Sequence, residues 1–187
     1  MNDIIVNGIS KSYEGRAVLK NFSCAFPAGS TTCVMGPSGC GKTTLMRILL
    51  GLETADTGEI LMDTNLKMAC VFQEDRLIRH LSAGKNCLLV SDRDPGELLK
   101  RLGLEEAAGR PVRKLSGGMA RRVSIARALI YDADLVVMDE PLKGLDEKTR
   151  AEVIRVIKEY TSGKTLILVT HDPEEAALLG GNLLRME

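Results

Sequence analysis

Apolar positions along the chain fall into two rhythms. Short dense runs at Ile4–Ile9, Val18–Phe26, Ser30–Met35, Met68–Phe72, Leu135–Met138 and Thr165–Val169 predict β-strands. Leu135–Met138 is uninterrupted and bounded by Asp134 and Asp139, the signature of a strand buried on both faces. Thr165–Val169 reads the same way, whereas the two N-terminal runs interleave polar residues and predict an antiparallel pair. Helical spacing marks Thr43–Leu50, stopped by Gly51, and then Glu97–Leu104, Ser116–Tyr131 and Glu147–Tyr160. Strands alternating with helices predict a three-layer α/β fold. Strand-like runs vanish between Gln73 and Gly118, which predicts a helical subdomain (residues 74–132) inserted into one domain spanning residues 1–187.

Composition narrows the class. At 187 residues with 44% hydrophobic content, the chain can bury a sizeable core. Its 25 basic and 25 acidic residues leave a net charge of +0, so no general attraction to nucleic acid is expected. No apolar run approaches the roughly 20 residues that cross a bilayer, and Met-Asn-Asp-Ile-Ile does not open like a secretory signal. The five cysteines are odd in number and form no Cys-x-x-Cys pair, which suits reduced thiols in the cytoplasm. Only His80 and His171 are present, which argues against a multi-histidine metal site.

Gly36-Pro37-Ser38-Gly39-Cys40-Gly41-Lys42-Thr43, followed by Thr44, fits the phosphate-loop pattern Gly-x4-Gly-Lys-Ser/Thr. The glycines let backbone amides turn toward a polyphosphate, and the following helix adds the positive end of its dipole. Lys42 is placed to reach the β- and γ-phosphates and Thr43 to bind Mg²⁺. Cys40 reads as a spacer within the loop. Asp139, at the carboxyl end of a strand, is positioned to hold the metal, and Glu140 to act as general base. Asp-Glu-Pro alone would be a solvated turn; the phosphate loop in the same chain favours the functional reading.

Leu115-Ser116-Gly117-Gly118 extends the pattern. With Gly36–Thr44, Gln73, Leu135–Pro141, Asp146 and His171 in this order, the chain resembles the ATP-binding-cassette ATPases from Tyr13 to about Arg185. The resemblance implies a RecA-like P-loop core, an N-terminal antiparallel β subdomain and a helical subdomain carrying Leu115–Gly118. It implies that Tyr13 stacks on adenine and that Gln73 approaches Mg²⁺ and the attacking water. Ser116, Gly117 and Gly118 would close on the γ-phosphate of a second copy, Asp146 would communicate across that dimer, and His171 would orient Glu140. Ser116 and Asp146 also suit plain helix N-caps. The cofactors implied are ATP and Mg²⁺. The partners implied are a second copy of the chain, head to tail, and separate transmembrane permease subunits with a solute-binding protein in the complex. The place implied is the cytoplasmic face of the membrane.

Three features depart from the family pattern: Met119 in place of glutamine, Lys143-Gly144 where small residues are usual, and only 41 residues between Gln73 and Leu115. Arg110, Arg113, Lys114, Arg121, Arg122 and Arg127 cluster around Leu115–Gly118 and read mostly as a solvated face. The expected function is an importer ATPase, with Phe72–Asp75 and Met119 pointing to small organic sulfur or nitrogen solutes. The alternatives are a soluble cassette ATPase of translation or DNA repair, and a nucleotide-gated interaction module. A groove after Gln73 that accepts a short helix would favour transport.

Overall fold

The computed structural model describes residues 2–187. Strands β1 (Ile4–Tyr13) and β2 (Arg16–Phe26) pair antiparallel, as the sequence predicts, but both run further than the apolar pattern shows. Ile4, Val6 and Ile9 all face the core although their spacing breaks strict alternation. Gly8, with φ 61°, lies where the register shifts between Val6 and Ile9, so a bulge restores the inward face.

Strand β3 (Thr31–Met35) leads through the glycine loop into helix α1 (Lys42–Leu49). Gly51 ends α1 as expected: its N–H reaches Ile48 and that of Leu52 reaches Arg47, a Schellman closure with Gly51 at φ 66°. Strand β4 (Thr57–Leu61) then joins the antiparallel sheet in the order β2-β1-β4. Its Thr-Gly-Glu-Ile-Leu is largely exposed, so no apolar pattern announces it.

After β5 (Met68–Val71) come short helices α2 (Ala83–Leu88) and α3 (Gly96–Arg101), then two 3₁₀ turns. The helix expected over Glu97–Leu104 stops at Arg101 because Gly103, at φ 66°, makes another Schellman closure, with the Leu104 N–H on Leu99. Helix α4 (Gly117–Ile130) and strand β6 (Leu135–Asp139) follow. The chain finishes with α5 (Glu147–Tyr160), β7 (Thr165–Val169), α6 (Pro173–Leu179) and β8 (Asn182–Arg185). The apolar pattern revealed neither α6 nor edge strand β8.

The second sheet is parallel with order β5-β6-β7-β3-β8. Successive residues of β6 face opposite layers. Leu135 and Val137 pack with Ile4, Phe26, Leu45 and Leu49, between the two sheets. Val136 and Met138 pack with Ile125, Leu129, Ile157 and Leu99 on the other side. This is the three-layer α/β arrangement the sequence predicts, with β3, β5, β6 and β7 ending on one edge of the sheet, where α/β folds hold ligands.

Candidate functional site

Residues of the glycine loop and α1 form one wall of a cavity of about 470 Å³ at that edge: Ser38, Gly39, Gly41, Lys42, Thr43 and Thr44. Gln73, Asp139 and Glu140 form the opposite wall, and Arg16, Ala17 and Val18 close it. The β2 residues have no motif of their own, so the sequence did not point to them. Gly36 and Pro37 line the neighbouring cleft beside β8, and Cys40 a depression beside β2.

The loop is shaped by close packing. A Cβ on Gly41, which sits at φ 99°, would come within 2.6 Å of Leu19, and one on Gly36 within 2.4 Å of the Met186 carbonyl. No side chain caps α1 at Gly41, so its first amides face the cavity without a partner from a capping residue. Lys42 Nζ donates to the Gly36 and Pro37 carbonyls at 2.7 and 2.8 Å, with Cys40 Sγ at 3.8 Å. Uncapped amides and a lysine whose hydrogen-bond partners among the described residues are neutral are what a polyphosphate needs.

Across the cavity, Thr43 Oγ1 donates to Asp139 Oδ2 at 2.9 Å. Asp139 is 7% exposed, and burial holds its carboxyl above the ordinary carboxylate range despite the Thr43 hydrogen bond. A hydroxyl and a carboxylate beside Gln73 give the hard oxygen donors that suit Mg²⁺. Nucleoside triphosphate and metal therefore fit the residues present.

Glu140 follows at φ 47°, a left-handed conformation rare outside glycine. Its Oε1 meets His171 Nδ1 at 3.1 Å, and its Oε2 accepts from Lys143 Nζ at 3.0 Å. Partial burial raises the Glu140 pKa, but Lys143 and His171 together outweigh it and hold the carboxyl below its ordinary value. The lysine that departs from the family pattern thus finds its acidic partner within its own chain.

Tyr13 is 40% exposed at the end of β1, and its hydroxyl donates to Glu53 rather than lining the cavity. Ser116 caps α4 by accepting from the Met119 N–H at 3.3 Å, and Asp146 caps α5 by accepting from the Thr149 N–H at 3.0 Å. Ser116, Gly117, Gly118 and Asp146 do not line the cavity of their own chain. The expected solvated arginine face is corrected in part. Arg121 is 5% exposed and bonds to five backbone carbonyls, while Arg122 and Arg127 also donate to carbonyls. Burial of Arg121 could not be read from a run of charges.

The fold and phosphate loop define a P-loop nucleoside triphosphatase. A profile described as ABC transporter matches residues 19–143, and the chain belongs to that family of ATP-hydrolysing cassettes. It is 38% identical over its full length to the taurine import ATP-binding protein TauB of Pelagibacter ubique, covering 79% of that protein. It is 34% identical to the spermidine/putrescine import ATP-binding protein PotA of Salmonella typhimurium, matching 98% of the present chain but only 54% of PotA. The bacterial ABC transporter cassette MJ0796, solved as a dimer, superposes with TM-score 0.87 at 30% identity, covering 98% of this chain and 94% of its own. A second dimeric structure of MJ0796, in a post-hydrolysis state with ADP and Pi, gives TM-score 0.84 at 29% identity over the same coverage.

Proposed function

We propose that this cassette hydrolyses ATP with Mg²⁺ in a head-to-tail dimer and drives separate transmembrane subunits that import a small solute. The observation that carries the hydrolytic reading is the meeting of Lys42, Thr43, Asp139, Glu140 and Gln73 around one cavity, with His171 on Oε1 of Glu140. Lys42 and the loop amides hold the β- and γ-phosphates. Thr43, Asp139 and Gln73 hold Mg²⁺, which supplies charge neutralisation when bound. Glu140 accepts the proton of the attacking water, aligned by Gln73 and His171. Tyr13, at the end of β1 outside that cavity, is assigned to the adenine by the family pattern alone. Positioning and electrostatics of this kind supply most of the catalysis in phosphoryl transfer.

The dimer is supported by an incompleteness in the single chain. Ser116–Gly118 present amides at the start of α4, away from the cavity of their own chain, and a Cβ on Gly117 would touch nothing within 4 Å. No packing among the described residues calls for that glycine, whereas close approach of a partner's phosphates would.

Transport is supported by a groove of about 600 Å³ beside β5, the strand that leads to Gln73. Met68, Cys70, Phe72, Leu88, Leu89 and Tyr131 line it, and Leu88, Leu89 and Tyr131 are exposed. A groove of this size, apolar along Met68–Phe72 and Leu88–Leu89 and polar at Asp92 and Arg127, suits the side chains of one short amphipathic helix from a permease. The named import functions of TauB and PotA agree with that direction, and the place of action is then the cytoplasmic face of the membrane, with a solute-binding protein in the complex.

Glu140→Gln tests the chemistry. The variant is expected to bind ATP, lose nearly all turnover and accumulate as an ATP-bound dimer by size-exclusion chromatography. Turnover near the wild-type rate would remove Glu140 from the role of base.

A further inference from the structure

Arg121 is a buried cation that the chemistry above does not use. It stands in the second turn of α4, and all three of its guanidinium nitrogens are engaged. Nε donates to the Pro141 carbonyl at 3.1 Å. Nη2 donates to the carbonyls of Asp139 at 2.6 Å and Glu140 at 2.7 Å. Nη1 donates to the Phe72 carbonyl, to that of Gln73 at 3.3 Å and to Asp75 Oδ1 at 3.3 Å. One side chain therefore ties the segment that carries Gln73 to the segment that carries Glu140.

Two features separate this from an ordinary ion pair. Among the described residues the one carboxylate within ion-pair distance is Asp75, whose side chain is 30% exposed, so most of the guanidinium's direct partners are neutral carbonyls. Three of those carbonyls are consecutive, and the residue in the middle is Glu140, at φ 47°. A left-handed non-glycine residue persists only where its surroundings over-determine it. Here the guanidinium does so, by taking the carbonyls on both sides of the turn. The planar fork spreads its donors over both segments; a lysine ammonium presents its donors from one point and cannot span them.

The structure assigns Arg121 as a positioning residue for hydrolysis: it fixes the separation and orientation of Gln73 and Glu140 by clamping their backbones, without touching the reacting atoms. The assignment rests on the proposed roles of those two residues. Its consequence is selective. The phosphate loop is not among the partners of Arg121, so metal-free nucleotide binding at Lys42 and Thr43 is left alone while the chemical step is not. A displacement of about 1 Å between a base and its water costs on the order of a hundredfold in rate.

The test uses Arg121→Lys and Arg121→Gln in the full chain, with steady-state ATPase kinetics and the Kd of a fluorescent ATP analogue measured in EDTA, so that the Mg²⁺ holders Asp139 and Gln73 do not contribute to it. At a temperature where circular dichroism shows each variant folded, kcat is expected to fall at least tenfold and the Kd to stay within threefold. Failure of lysine to rescue separates fork geometry from charge. A kcat within threefold of wild type, or parallel loss of kcat and nucleotide affinity, would overturn the assignment. Wild-type protein gives a measurement that needs no variant: ¹⁵N-resolved NMR should show separate, slowly exchanging Nη–H signals for Arg121. Averaged, rapidly exchanging signals like those of surface arginines would also overturn it. Glu140→Gln is measured alongside. If it retains turnover, the reading of the base fails; if it is inactive while both Arg121 variants turn over normally, only the clamp fails.

Discussion

Asp139→Asn should leave the nucleotide-free protein at least as stable as wild type while removing its response to Mg²⁺. Asp139 is 7% exposed, and among the described residues the Thr43 hydroxyl is the one side-chain donor that reaches its carboxylate, at 2.9 Å. A buried carboxylate short of donors carries a penalty of about 1–3 kcal/mol. Burial dominates here: the carboxyl is held above its ordinary value of 3.8 even though Thr43, Arg121 and Lys42 all favour the charged form. The folded state therefore binds its proton more tightly than the unfolded state does. Stability falls as pH rises through the window above 3.8, and the full penalty is present once pH exceeds the folded pKa.

Asparagine keeps the shape and the acceptor for Thr43 but removes the charge, at the cost of placing a buried amide N–H₂ nearby. We take the net gain as about 1 kcal/mol, which for a chain of this size raises Tm by about 2–4 °C. In wild type, Mg²⁺–ATP at about 100 times its Kd adds about 2.7 kcal/mol, or about 5–11 °C. Differential scanning fluorimetry at neutral pH, with no ligand, ATP plus EDTA, and ATP plus Mg²⁺, separates the two effects. Asp139→Asn should start at or above wild type and gain nothing when Mg²⁺ replaces EDTA, and the difference between the unliganded proteins should close in acid below the ordinary carboxylate pKa. A lower unliganded Tm for the variant at neutral pH, or an intact Mg²⁺ increment, would refute the argument.

Lys143→Met should raise the titration midpoint of the Glu140 carboxyl, followed by ¹³C NMR, and Lys143→Arg should not. Stability should change by less than about 1 kcal/mol because the lysine side chain is 58% exposed; an unmoved midpoint would show that the 3.0 Å contact does not persist in solution. Glu175, 7% exposed and bonded by the Thr170 hydroxyl at 2.6 Å, is held by burial above its ordinary 4.5. Glu175→Gln should therefore gain stability relative to wild type as pH rises from about 4 to 7, by about 1–2 kcal/mol, and a pH-independent difference in Tm would count against it. Gly117→Ala should leave Tm unchanged or raise it slightly, yet abolish the ATP-bound dimer of Glu140→Gln in size-exclusion chromatography; a normal dimer would remove Gly117 from the seam.

What the sequence revealed tracks how strongly burial acts on each element. Leu135–Met138 and Thr165–Val169 are packed on both faces, so every position is apolar and their strands can be read directly. Ser116 and Asp146 were legible as caps because capping is local: each accepts an N–H three residues on. Strands β4 and β8 were not legible, being edge strands with mostly exposed side chains whose ladder hydrogen bonds leave no trace in composition. The end of α3 was misjudged because apolar spacing continues through Leu104, while Gly103 turns the backbone back. Gln73 lies far in sequence from the adjacent pair Asp139 and Glu140, and the three gather because the ends of β5 and β6 share one sheet edge; the ordered motifs anticipated that meeting.

The contacts that sequence could not supply are those made by charged side chains with backbone. A run of arginines around Leu115–Gly118 has the composition of a solvated face, and nothing in the run distinguishes Arg121 from Arg113. The difference arises from helical phase: Arg121 falls on the face of α4 that meets the ends of β5 and β6, where the strands stop and their last carbonyls lack ladder partners. Those carbonyls need donors wherever the sheet ends under a helix. Filling that need with one guanidinium joins Phe72–Gln73 to Asp139–Pro141, and under the proposed roles of Gln73 and Glu140 the same joint sets the spacing on which hydrolysis depends. Stability of the sheet edge and geometry of the site are thus met by one residue. Substitutions at Arg121 should consequently separate metal-free nucleotide binding from turnover more cleanly than substitutions within the phosphate loop, where both roles are proposed for Lys42.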